Sequence, residues 1–298
     1  MIKQVSVLGA GAVGLFYGAK LQKSGLNVEF LSRTACKASQ NTLQVKSTWG
    51  DFSIEVKCYG SSAELASSDL IILTSKCFPG LDFQGMIKNI LKPESVILVL
   101  QNGLGIEEQL SREFPGNIIL GGLAFTCINR LGPLDVHHID HGLVKVSALE
   151  GTHQKVASDI AELFLNAGIE CVAEQNLRLQ RWKKLVWNVG FNPISAITGL
   201  DTGSILSSEK LCNTVNASML EVQKTAAAEG LTIEDDFLLE MMTITKTMNP
   251  YKTSMLLDKE AGRQLETWAI LEQPISIAKK YQIKTPLMET YNAILSIK

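Results

Sequence analysis

Ile2-Lys3-Gln4-Val5-Ser6-Val7-Leu8-Gly9-Ala10-Gly11-Ala12-Val13-Gly14 reads as a buried strand running straight into a glycine loop. Residues 2–8 alternate in character and are rich in β-branched side chains, which suits a strand. Leu15 to Ser24 continues as a helix that Gly25 ends, and Asn27 to Leu31 is a second strand. Between a strand and a helix, the spacing Gly9-x-Gly11-x-x-Gly14 gives each glycine a physical task. Gly9 permits a tight turn, Gly11 lets a pyrophosphate approach the backbone at the helix N-terminus, and Gly14 allows close helix–strand packing. Gly9, Ala10, Gly11, Ala12, Val13 and Gly14 are therefore the candidate dinucleotide loop. The alternative is a glycine-rich turn in a doubly wound sheet that holds no cofactor.

The residues after the second strand select the cofactor. A site for NAD usually has Asp or Glu there, to accept from the ribose hydroxyls. Here the chain reads Leu31-Ser32-Arg33-Thr34, and Glu29 lies inside the strand. Arg33 stands where a 2′-phosphate would sit, with Ser32 and Thr34 as further donors, so the expected cofactor is NADPH/NADP+. The alternative is a surface arginine.

Further along, Val45 to Lys57 reads as a hairpin around Trp49-Gly50-Asp51. Leu70-Ile71-Ile72-Leu73-Thr74 and Val96-Ile97-Leu98-Val99-Leu100 are continuous apolar runs, as in a parallel sheet covered on both faces. Lys76 and Asn102 follow these strands, where ligands bind in open α/β sheets, although turn chemistry alone explains either residue. A strand over 118–124, short antiparallel strands to about residue 148 with turns at Gly132-Pro133 and His141-Gly142, a helix over 154–166 and an edge strand at 170–173 complete this half. Helical periods then dominate, at about 176–191, 208–229, 234–246, 258–280 and 287–296. Pro193 is expected to kink or stop the first of these, leaving Asn192 at the break. The fold class is α/β: a Rossmann-type doubly wound domain over 1–173, then an all-helical domain over 174–298.

The chain has 298 residues, 46% hydrophobic and 19% charged, enough for one large or two medium domains. A formal charge of -2 without a basic run argues against nucleic-acid binding. No apolar run approaches the roughly 18–20 residues of a membrane span, and the N-terminus does not read as a signal peptide. Cys36, Cys58, Cys77, Cys127, Cys171 and Cys212 are scattered without a C-x-x-C pair, which points to reduced thiols in a cytoplasmic protein. His137, His138 and His141 have no cysteine or carboxylate at metal-ligand spacing, so no metal is expected. Monomer and homodimer both remain open.

Lys184, Asn188 and Asn192 lie four residues apart, on one face of the expected helix and flanked by Leu185, Trp187, Val189 and Phe191. Polar groups among such side chains need partners, because burying them unpaired costs a few kcal/mol each. The alternative is a solvated stripe.

Together these residues resemble the ketopantoate reductase family, whose NADPH-dependent enzymes make pantoate on the route to pantothenate and coenzyme A. The likeness lies in the glycine loop with Arg33, Lys76, the Gln101-Asn102-Gly103-Leu104-Gly105 loop, the stretch from Trp182 through Lys184, Asn188 and Asn192 to Pro193, and the spacing from Ser254 to Glu266. Phe78-Pro79-Gly80 and the stretch from Gly142 to Ala148 depart from the family pattern. The resemblance implies a 6-phosphogluconate dehydrogenase-like architecture and reduction of 2-dehydropantoate to (R)-pantoate, with a small 2-oxo acid as partner and neither nucleic acid nor membrane. It implies that Lys184 is the general acid and Glu266 its carboxylate partner. Asn102, Asn188, Asn192 and Ser254 would hold substrate, while the glycine loop, Arg33, Lys76, Asn102 and Glu266 would hold the cofactor. Without the resemblance, Glu266 reads as a surface helix residue and Ser254 as a helix N-cap. Competing functions are reduction of another 2-oxo acid or an imine, and a non-catalytic NADP(H) sensor.

Overall fold

A computed structural model describes residues 2–37 and 41–297. Met1, residues 38–40 and Lys298, which the sequence-based domain ranges include, lie outside the described residues. Contacts divide the chain into two compact units. The first holds the chain up to Lys76, Gly80–Gln101 and Ile106–Leu177; the second holds Cys77–Pro79, Asn102–Gly105 and the chain from Arg178 onward.

The first unit is built on ten strands in one sheet: β1 (Gln4–Leu8), β2 (Asn27–Leu31), β3 (Thr42–Ser47), β4 (Phe52–Glu55), β5 (Lys57–Tyr59), β6 (Ser68–Leu73), β7 (Leu91–Val99), β8 (Ile118–Gly132), β9 (Asp135–Ala148) and β10 (Cys171–Ala173). Their order is β4-β3-β9-β8-β7-β6-β1-β2-β5, with β10 beside β9. β1 pairs in parallel with β2 and β6, and β7 and β8 extend the parallel run. Val5, Leu8, Leu70, Leu73, Ile97 and Leu98 are completely buried, as strands covered on both faces require. The chain crosses from β5 on one side of β1 to β6 on the other, so the switch point of this Rossmann-type sheet lies beyond the C-terminal ends of β1 and β6. The helices of this unit are α1 (Ala12–Lys23), α2 (Phe83–Ile87), α3 (Ile106–Glu113) and α4 (Gln154–Asn166).

The hairpin around Trp49-Gly50-Asp51 forms, with Val45 opposite Phe52. The segment read as short antiparallel strands is instead one long hairpin, β8 paired with β9 from Leu120–Ala148 to Gly132–Asp135. His141-Gly142 is not a turn. Thr126 pairs with His141 and Phe125 with Leu143, which leaves Gly142 as the extra residue of a bulge. Gly142 has φ +136, and a Cβ there would lie 2.2 Å from the Trp49 ring. The pairing thus absorbs the backbone irregularity that looks like a turn in sequence.

The second unit begins within α5 (Leu177–Thr198) and continues through α6 (Thr202–Leu206), α7 (Glu209–Ala228), α8 (Asp235–Thr247), α9 (Ser254–Glu260), α10 (Gln273–Lys280) and α11 (Pro286–Leu295). α5 packs on α7 at Gly190, where a Cβ would lie 2.7 Å from Met219 Cε. α5 does not stop at Pro193; it runs on for another turn and ends before Gly199, which has φ +76. Pro193 removes one backbone donor, but residues 191 to 196 are buried and tertiary packing holds the helical path. The expected helix over 258–280 is broken. Gly262 at φ +63 follows the end of α9, residues 263–266 are not helical, and Trp268–Glu272 form a π-helical turn leading into α10. Pro274 in the first turn of α10 has no N–H for the Ile270 carbonyl four residues back.

All six cysteines are unbridged. Among the described residues no helix is long and apolar enough to cross a membrane.

Candidate functional site

In the first unit the glycine loop joins the end of β1 to α1. Gly9 has φ +111, and a Cβ there would lie 2.3 Å from the Ser75 backbone nitrogen, so only glycine fits where the loops after β1 and β6 abut. A Cβ on Gly14 would lie 2.3 Å from Gly9 O and 2.4 Å from Thr74 Oγ1. Gly11 is different: nothing lies within 4 Å of where its Cβ would be. It precedes α1, whose N-terminus has no side-chain cap and no acidic residue in its first turn. Ala12 and Val13 are the first residues of that helix, and Ala10 is buried. An open approach, uncapped N–H groups and the positive end of a helix dipole suit a pyrophosphate.

Arg33 is exposed in the turn after β2. Ser32 is buried, and its Oγ accepts from Ala35 N–H at 3.0 Å, so it braces the turn and does not face outward beside Arg33. Thr34 Oγ1 accepts from Arg130 Nη2 at 3.0 Å. Lys76 is exposed after β6. Gln101 Nε2 donates to Ser75 O at 2.8 Å and so ties the loops after β6 and β7 together.

In the second unit, Asn188 and Asn192 are 5% and 1% exposed and Lys184 is partly buried, so the α5 stripe is not a solvated face. Asn192 Nδ2 reaches Asn188 Oδ1 at 3.5 Å, while Asn192 Oδ1 has no hydrogen-bond partner among the described residues. Burial pushes the Lys184 amine down to about 7, the Arg181 guanidinium one turn earlier pushes the same way, and Glu266 opposes them. Glu266 is 6% exposed and lies in the non-helical segment before the π turn, so it is not a surface helix residue. Its Oε1 accepts from the Cys77 N–H at 3.0 Å. The Asn102–Gly105 loop docks on the π turn that follows: Gly103 has φ +96, and a Cβ there would lie 2.4 Å from Ala269 Cβ. Asn102 itself is half-buried. Lys184, Asn188, Asn192, Glu266 and Asn102 thus all belong to the second unit.

Ser254 is exposed at the first position of α9 and is not the N-cap; that role falls to Thr253, whose Oγ1 accepts from Leu256 N–H. Arg181, Cys77 and Arg130 make site contacts that the sequence motifs do not include. The spacing of Arg181, three residues before Lys184, was a usable signal. Cys77 and Arg130 act across 189 and 96 residues, and no local pattern marks them. Among the histidines, His138 is buried: Nδ1 accepts from Ser47 Oγ at 2.8 Å and Nε2 donates to His141 O at 2.6 Å. Among the described residues no group of three or more His, Cys, Asp or Glu is placed to hold a metal.

Comparison with known proteins matches residues 5–151 to the family described as ketopantoate reductase PanE/ApbA, and residues 176–298 to its C-terminal part. A 2-dehydropantoate 2-reductase of Nostoc sp. is 34% identical over 291 residues, covering 95% of this chain and 91% of that protein. The crystal structure of 2-dehydropantoate 2-reductase from Geobacter metallireducens has a TM-score of 0.94 and 36% identity, covering 98% of both chains. A structure of D-mandelate dehydrogenase with NADH and anilino(oxo)acetate has a TM-score of 0.88 at 20% identity, a likeness of fold alone.

Proposed function

This chain belongs to the ketopantoate reductase family of oxidoreductases, and from that premise we propose that it reduces 2-dehydropantoate to (R)-pantoate with NADPH, Lys184 giving the proton. The observation that carries the reading is the buried polar stripe of α5. It holds a lysine brought to about 7 and, on the same face, a buried amide oxygen without a partner among the described residues. An unsatisfied buried acceptor costs about 1–3 kcal/mol, which a ligand hydroxyl would relieve.

The first unit is assigned the cofactor. Gly9, Ala10, Gly11, Ala12, Val13 and Gly14 would receive the pyrophosphate and Arg33 the 2′-phosphate, and the family resemblance assigns Lys76, Asn102 and Glu266 to the cofactor as well. Bound NADPH supplies a hydride to a carbonyl carbon. Lys184 then has two tasks. Its ammonium stabilises negative charge growing on the carbonyl oxygen, which favours the transition state over the ground state, and it hands that oxygen a proton. A group near neutrality suits this work, because it is substantially protonated yet gives up its proton readily. Glu266, held by the Cys77 amide, offsets part of the depression and can accept from a substrate hydroxyl. Asn102, Asn188, Asn192 and Ser254 supply neutral donors for a carboxylate and a hydroxyl.

The test is NADPH consumption by purified protein with 2-dehydropantoate, alongside a panel of other 2-oxo acids and imines. Highest kcat/KM on 2-dehydropantoate supports the proposal. A better substrate in the panel replaces the substrate but keeps the chemistry; tight NADPH binding without any turnover favours a sensor and ends the proposal. The ratio of NADPH to NADH dissociation constants in wild type and Arg33→Ala tests the cofactor, and equal loss of both in Arg33→Ala removes Arg33 from the 2′-phosphate.

A further inference from the structure

A second guanidinium reaches the turn after β2 from another strand. Arg130, near the far end of β8, donates from Nε to Gly132 O at 2.9 Å and from Nη2 to Pro133 O at 2.8 Å. These two bonds fix the guanidinium within its own hairpin turn. The same Nη2 donates to Thr34 Oγ1 at 3.0 Å, and Thr34 is the neighbour of Arg33. Ser32 N–H donates to Tyr59 O at 2.9 Å, so this turn is also bound to β5. The Arg130 charge reaches β5 as well, where it opposes the rise that burial imposes on the Cys58 thiol.

We propose that Arg130, carried by the β8–β9 hairpin to the turn after β2, is a second cation of the subsite for the cofactor's 2′-phosphate and a determinant of preference for NADPH. This rests on the reading of Arg33 as the first cation of that subsite. A phosphate monoester is close to a dianion at neutral pH, so a second fixed positive charge beside this turn favours it over a bare ribose hydroxyl. A hairpin staple needs only the carbonyls of residues 132 and 133. The reach to Thr34 brings the charge to the side of the sheet where Arg33 sits, and the rigid hold keeps it there before a ligand arrives.

The experiment measures dissociation constants for NADPH and NADH, and for adenosine 2′,5′-bisphosphate and AMP, in wild type, Arg33→Ala, Arg130→Gln and Arg130→Lys, with thermal melting as a folding control. Arg130→Gln is expected to weaken NADPH and the bisphosphate about ten- to a hundredfold, the loss of a charge-assisted hydrogen bond, with NADH and AMP little changed. Arg130→Lys keeps the charge without the bonds that hold it beside Thr34 and is expected to weaken NADPH several-fold with NADH unchanged; it carries the test if Arg130→Gln does not fold. Equal weakening of both cofactors, or of neither, makes Arg130 a hairpin staple only and overturns the proposal. A wild type that binds the two cofactors alike removes the Arg33 reading and this proposal together. A preference lost in Arg33→Ala but kept in Arg130→Gln removes this proposal alone.

Discussion

Raising the pH through neutrality will switch off turnover if Lys184 is the acid. Its folded-state pKa is about 7, against 10.5 for an ordinary lysine. The protonated fraction of such a group falls from about nine-tenths at pH 6 to about one-hundredth at pH 9, so kcat/KM drops roughly a hundredfold over that span. An ordinary lysine stays almost fully protonated over the same range. Two variants set the sign of the neighbours' influence. Burial is the main cause of the depression and stays in both. Arg181 adds to the depression, so Arg181→Gln moves the inflection to higher pH; Glu266 opposes it, so Glu266→Gln moves the inflection lower. The assay is the initial rate of NADPH consumption across pH 5.5 to 9.5 at saturating cofactor, because kcat/KM then reports groups in the form that meets the substrate. A flat wild-type profile to pH 9, or two variants moving the inflection the same way, refutes the reasoning.

Keeping Lys184 charged within the fold also costs stability, and the sign follows from linkage. Its folded pKa lies below its unfolded one, so the cost is full below about pH 7 and fades between 7 and 10.5. Lys184→Met therefore melts above wild type at pH 6, with a gap that narrows as pH rises; a gap that widens contradicts this. Gly14→Ala forces a Cβ to within 2.3 Å of Gly9 O, an overpacking that costs about 1–3 kcal/mol and lowers Tm by several degrees in a thermal melt. Lys183 is a neighbour turned elsewhere, its Nζ 5.1 Å from the Phe237 ring centroid. Lys183→Ala loses about 0.5–1 kcal/mol of stability by denaturant titration and keeps the wild-type kcat.

Sequence pattern reveals what depends on near neighbours. The strand, glycine loop and helix at the start are legible because the tight turn at Gly9 and the close packing at Gly14 demand glycine at fixed spacing. The Lys184–Asn188–Asn192 stripe is legible because helical geometry alone aligns it. Pro193 does not end the helix: its missing N–H would favour a stop, but the buried packing of Phe191, Ile194 and Ala196 carries the helical path past it. Glu266 hides for the opposite reason. The apolar period across 258–280 reads as one helix, while Gly262 and Pro274 punctuate it and free Glu266 to meet Cys77. Thr253 takes the cap of α9 from Ser254 by one residue, a shift beyond the resolution of sequence pattern. Arg130 and Cys77 make their contacts through tertiary structure, and one sequence carries no mark of them.

Lys184→Ala, measured in one preparation for both kcat on 2-dehydropantoate and the NADPH dissociation constant, is the decisive test of Lys184 as the acid. Loss of the acid is expected to lower kcat by about 10²–10⁴-fold with NADPH affinity retained. An unchanged kcat would contradict it.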